Sequence, residues 1–177
     1  MSTENIAAAL LRVQGVLQRK PQIGLHDDAP ATAQWLDGLR VVASHANGTQ
    51  MVTDMPIELG GQGDQVTPGW VFRAGLASCF ATCIAMHAAA RGVALSALEV
   101  RADSRSDLRG LFGMLDAAGE RVVAGPIDAR LTVRIAANGI ARGELHRLIE
   151  ESYCCSPMAA ALREAVSISL AIETEGE

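Results

Sequence analysis

Large rings are scarce in these 177 residues, which hold three Phe, two Trp and one Tyr. The core must therefore be assembled from Ala, Leu, Val, Ile and Met. No basic block occurs and the formal net charge is −5, which argues against a nucleic-acid phosphate tracker or a binder of anionic membranes. Cysteine is sparse as well. Four thiols, two of them one helical turn apart and two adjacent, make no disulfide scaffold; they suit reduced cysteines in a cytoplasmic setting. The opening Met-Ser-Thr-Glu-Asn run carries an acid and no basic stretch, so no secretory signal is expected there. What remains is a globular balance, with 49% hydrophobic and 20% charged residues in a length that suits one domain.

One run looks briefly like a membrane span. Val71 to Ala90 is almost wholly apolar and about long enough to cross a bilayer. It carries Arg73 and His87, with Ser78 and Thr82 between them, and it has no aromatic belt. A helix apolar on every side can equally be the buried centre of a soluble fold. The buried reading is adopted, and no membrane is expected as a partner.

Local signals order the rest. Ile6, Leu10, Val13 and Leu17 recur at helical spacing over Asn5–Arg19, with Ser2 or Thr3 as N-cap and Pro21 and Gly24 beyond the end. A linker follows over Gln22–Thr32. Strands are expected at Leu39–His45 and Thr49–Met55, joined by a two-residue turn at Asn47-Gly48. The glycine-rich Gly60–Gly63 run lacks the context of a dinucleotide loop. Thr67-Pro68 is a helix start, and Gly92 is the matching stop, for a helix of about 36 Å at 1.5 Å per residue. Alternation predicts strands at Leu98–Asp103 and Ile127–Ile135, with loop over most of Asp107–Gly125 between them. A helix is expected over Ala141–Cys155, and Ser156-Pro157 starts a short one that runs to about Glu164. Val166, Ile168, Leu170 and Ile172 alternate as a final strand. Strands in runs broken by helices, without a βαβ rhythm, give an α+β class.

The chemistry rests on thiols. Cys79 and Cys83 share one face of the long helix, and His87 lies a turn further along it. One reading makes these cysteines inert core residues. A metal site of Cys79, Cys83 and His87 is a second, but the three span about 12 Å, too far for one ion. The third is a nucleophilic thiolate, activated by a nearby cation or by helix amides, that cycles through a sulfenate to a disulfide. Spacing puts Cys155 on the apolar stripe of the later helix with Leu148 and Ser152. Cys154 falls on the polar face with Arg147 and Glu150.

Four segments together resemble the OsmC/Ohr family, the osmotically inducible and organic-hydroperoxide-resistance proteins. They are Met55-Pro56-Ile57-Glu58-Leu59-Gly60-Gly61, Thr67-Pro68, Ala74-Gly75-Leu76-Ala77-Ser78-Cys79-Phe80, and Cys155-Ser156-Pro157-Met158. The similar run extends from about Gly38 to Glu173. The resemblance implies an α+β OsmC-like fold, with antiparallel sheets wrapped around a long buried central helix in an intertwined homodimer. It divides a single domain, 1–177, into an added N-terminal helix and linker (1–25), a hairpin lobe (38–66) and a helix-and-sheet lobe (67–174). It assigns Cys79 as peroxidatic nucleophile, Cys155 as the resolving thiol and Arg40 as the cation that lowers the thiol pKa and binds peroxide. Two positions depart from the pattern. Gly69 stands where the family has a Glu that holds the arginine, and Ser156 stands where the resolving cysteine directly precedes its proline. The implied activity is thiol-dependent reduction of organic hydroperoxides with a dithiol reductant and no cofactor. A non-catalytic or redox-sensing dimer that binds a small ligand is the alternative.

Overall fold

The structure is a computed structural model and describes residues 2–174. Helix α1 (Thr3–Arg19) begins at Ser2, whose hydroxyl accepts from the Asn5 amide at 3.3 Å. Strands β1 (Thr32–Asp37), β2 (Arg40–Ser44) and β3 (Gln50–Thr53) form one antiparallel sheet in that order. β1 occupies the end of the expected linker and the residues just beyond it. The β2–β3 turn also differs from expectation, with three residues in place of two. His45 N donates to Thr49 O at 3.0 Å, and Gly48 closes the loop at φ 90°.

Helix α2 (Pro68–Ala90) starts and stops where its local chemistry dictates. Thr67 Oγ1 accepts from the Trp70 amide at 3.2 Å. At the other end Gly92 N reaches Ala89 O at 3.0 Å and Val93 N reaches Ala88 O at 2.9 Å, with Gly92 at φ 69°. The next elements are β4 (Leu95–Ser106), a single turn α3 (Leu108–Leu111) and β5 (Pro126–Ala137). β4 and β5 form a second antiparallel sheet. Two short helices, α4 (Arg142–Cys154) and α5 (Pro157–Glu164), complete the regular structure. The architecture is α+β, as the order of elements predicts, with antiparallel sheets, as the resemblance implies.

α2 packs against α1, β4, α4 and α5. Leu76, Phe80, Ile84 and Ala88, spaced one turn apart, are its buried stripe. Its C-terminal end joins a core cluster of Ala88, Val93, Leu145 and Leu148, backed by Leu95, Ile135, Ala137 and Ile140. Phe80 meets Tyr153 edge to face, with centroids 5.7 Å apart. The opposite stripe of α2, through Ser78, Thr82 and Met86, is exposed. A single chain thus covers one side of a helix that is apolar all round.

The expected final strand is not formed. Val166 to Thr174 is irregular, and Val166, Ile168, Leu170 and Ile172 are exposed. Alternation supplies a strand's side-chain pattern, but a strand also needs a partner edge, and this segment pairs with neither sheet.

Candidate active site

A groove of about 510 Å³, lined mostly by apolar atoms, runs along one side of α2. Cys79, Cys83 and His87, with the exposed Ser78, Thr82 and Met86 beside them, form one wall; Cys155, Pro157 and Met158 form the other. Gly75 opens room for this wall, since a Cβ there would stand 3.1 Å from Met158 Cε. Three of the four cysteines therefore share one cavity. Cys154 is absent from its lining, and Cys154 and Cys155 are both exposed.

Two of these thiols have a polar neighbour. Cys79 Sγ lies 3.6 Å from the hydroxyl of Ser156, which is fully buried. Ser156 precedes Pro157 as the sequence suggests, yet its side chain does not cap α5. The hydroxyl faces the thiol instead. Cys83 Sγ lies 3.7 Å from the carbonyl oxygen of Cys155. Burial pushes the Cys83 thiol pKa up, and the neighbouring Cys79 and Cys155 push it further.

His87 closes the far end through a relation that the sequence does not disclose. Ser152, fully buried, donates its one hydroxyl proton to Leu148 O at 2.6 Å. It must then accept from His87 Nδ1, which stands 2.9 Å away. Among the described residues no cluster of three or more His, Cys, Asp or Glu side chains is arranged to hold a metal ion.

Arg40 sits at the start of β2, in a separate network. Its guanidinium donates to Gln62 Oε1 at 3.0 Å and forms an ion pair with Asp64. Arg40 Nε lies 3.6 Å from Asp54 Oδ2, and Asp54 is 1% exposed. Asp54 also holds the glycine-rich loop, accepting from Met55 N at 2.7 Å and Gln62 N at 2.9 Å. The Gln62 amide, the Met55 amide and Arg40 together keep its carboxyl below the usual range. Gly61 is required there, because a Cβ would stand 1.9 Å from Met55 O. Cys79 and Cys155 therefore line one groove, while Arg40 sits on the Asp54–Asp64 cluster and no β2 residue lines that groove. Arg73, the other cation near the helix start, donates to Ser104 Oγ of β4 at 3.3 Å. Asp54 is the member of this network that periodicity does not report; its signal in the sequence is an acid directly before Met55-Pro56 and a run of glycines.

The family described as OsmC-like protein matches residues 61–171. Among curated proteins no sequence matches. Among solved structures, the chain is similar to an OsmC-like protein from Mycoplasma pneumoniae, with TM-score 0.64 and 16% identity over 78% of this chain and 89% of that one. It is also similar to an organic hydroperoxide resistance protein from Elizabethkingia anophelis, with TM-score 0.59 and 22% identity over 78% and 90% of the two chains. An OsmC-like protein of unknown function from Vibrio cholerae matches with TM-score 0.61 and 12% identity over 77% and 94%.

Proposed function

The chain belongs to the OsmC-like protein family, and we propose that it is a cytoplasmic, homodimeric thiol peroxidase that reduces organic hydroperoxides. The observation that carries this reading is the shared groove of Cys79 and Cys155. Several similar solved structures are described as organic hydroperoxide resistance proteins. In the proposed cycle the Cys79 thiolate attacks the distal peroxide oxygen and breaks the O–O bond. This gives a Cys79 sulfenate and releases the alcohol once the departing alkoxide is protonated. The Cys155 thiol then attacks the sulfenate sulfur, forming the disulfide and releasing water. A dithiol reductant returns both cysteines to thiols and is itself oxidised to a disulfide.

The mostly apolar groove suits the organic part of such a substrate, and the Ser156 hydroxyl is within reach of the reacting sulfur. Arg40 is assigned the role of peroxide-binding cation. Its partners within the chain are Asp54, Asp64 and Gln62, so in this reading it meets the thiolate of a second copy. The exposed Ser78–Thr82–Met86 stripe of α2 supports pairing of two chains.

The Arg40 network also favours a second reading, a redox-sensing or ligand-binding dimer without turnover. One assay separates the two. With cumene or tert-butyl hydroperoxide and a dithiol, the peroxidase reading expects steady turnover that Cys79→Ser abolishes. Oxidation of Cys79 without turnover selects the sensor. Light scattering that finds a folded monomer at micromolar concentration overturns the dimer.

A further inference from the structure

The proposed cycle uses two thiols, but the groove holds three. We propose that Cys83 is a third redox thiol, which attacks the Cys155 sulfur of the Cys79–Cys155 disulfide, takes over that bond and returns Cys79 to its thiol form. This inference rests on the peroxidase reading, which supplies the first disulfide. The exchange balances without a further oxidant. The Cys83–Cys155 S–S bond forms as the Cys79–Cys155 bond breaks, and the proton lost by Cys83 ends on Cys79.

Geometry selects Cys155 as the sulfur attacked. Cys79 and Cys83 are one turn apart on α2, where Cβ atoms stand about 5–6 Å apart. That exceeds the roughly 3.5–4.5 Å that a disulfide spans, so a direct Cys79–Cys83 bridge would have to distort a continuous helix. Cys155, just past the end of α4, lines the same groove as both, with its carbonyl 3.7 Å from Cys83 Sγ. Thiol exchange needs the attacking, central and leaving sulfurs roughly in line. Two stretched S–S bonds of about 2.05 Å at rest put the outer sulfurs about 4–5 Å apart. Neighbouring turns of a helix nearly provide that separation. A Cys155 sulfur drawn between Cys79 and Cys83 is therefore placed for transfer from one to the other.

Thiol chemistry sets the order of events. Burial and neighbouring sulfurs raise the Cys83 pKa, so little of it is thiolate and its attack is slow. Once in the bond, a high-pKa thiol is a poor leaving group and is retained. The first disulfide should form quickly and the exchange should follow. Cys79 is then free to meet a second hydroperoxide while the first oxidation is stored on Cys83 and Cys155.

The test adds one equivalent of tert-butyl hydroperoxide to the full chain without reductant, blocks free thiols at intervals with an alkylating reagent, and maps the disulfides. The expected early product is Cys79–Cys155. It should be lost with time, replaced by Cys83–Cys155 with Cys79 alkylated. In Cys83→Ser the first bridge should persist, and in Cys79→Ser no bridge should form. A wild-type Cys79–Cys155 bridge that never changes overturns the exchange and leaves the peroxidase reading standing. Equal formation of Cys83–Cys155 in Cys79→Ser also overturns it. The absence of any bridge at all times overturns the peroxidase reading and this inference together.

Discussion

Cys79 Sγ and Ser156 Oγ stand 3.6 Å apart across the contact between α2 and the start of α5. Ser156 is fully buried and occupies the place directly before Pro157 where the resembling family carries its resolving thiol. Ser156→Cys should place a sulfur next to Cys79 without removing a helix cap, because the hydroxyl does not cap α5. The expected result is a Cys79 disulfide to position 156 after mild organic peroxide, with Cys155 left free. Peptide mapping checks it, and a Cys79–Cys155 bridge in that variant would contradict the geometry.

Local chemistry made much of the fold legible. Thr67, Pro68 and Gly92 bound α2 because each acts on backbone groups within a few residues. Ile127, Leu131, Val133 and Ile135 declare β5 by alternation. β1 escaped because Thr32–Asp37 has no clean alternation and is exposed throughout. The Val166–Ile172 pattern is the converse case: it has alternation but pairs with neither sheet of the described chain. At the site, helical spacing sets Cys155 apart from Cys154, and Cys155 is the one of the two that lines the groove. The Asp54–Arg40 contact arises from a loop folding back on itself, and no periodicity reports it.

Asp54 makes stability acid-sensitive. Its folded carboxyl is held below the usual value, chiefly by the Gln62 amide and also by the Met55 amide and Arg40. A depressed folded pKa contributes stability that is present above the unfolded carboxyl value of about 3.9 and is lost as pH falls through the folded one. Asp54→Asn should therefore lower the melting temperature at neutral pH and flatten its decline below about pH 4. Thermal melts of both proteins from pH 7 to pH 3 check this. Parallel declines would show that Asp54 is not the group responsible.

Gly61 is a steric requirement of the same loop. A Cβ would lie 1.9 Å from Met55 O and 2.8 Å from Asp54 Oδ1. Gly61→Ala should cost about 1–3 kcal/mol or more, as overpacking does. Gly143 supplies the control, being helical with no atom within 4 Å of its added Cβ. Gly143→Ala should be neutral or stabilise by up to about 1 kcal/mol. Urea unfolding of the two variants gives the comparison, and equal midpoints would show that the loop yields.

Gly69 tests whether the family's arginine-holding carboxylate would act here. The residue is exposed at the second position of α2, and a Cβ there would stand 3.7 Å from Arg73 Nη1 and 3.9 Å from Thr67 Oγ1. Those are ordinary contacts, so a side chain fits. A carboxylate at this helix start would meet the positive end of the dipole and the Arg73 cation, a gain of about 0.3–1 kcal/mol. Arg40 is held elsewhere, by Asp54, Asp64 and Gln62. Cys79 lies about 15 Å further along the helix axis. Gly69→Glu should therefore raise the melting temperature by about 1–4 °C and leave the stopped-flow rate of Cys79 oxidation unchanged. A several-fold faster oxidation with the assembly intact would show that the new carboxylate orients a cation at the thiol and would overturn this expectation.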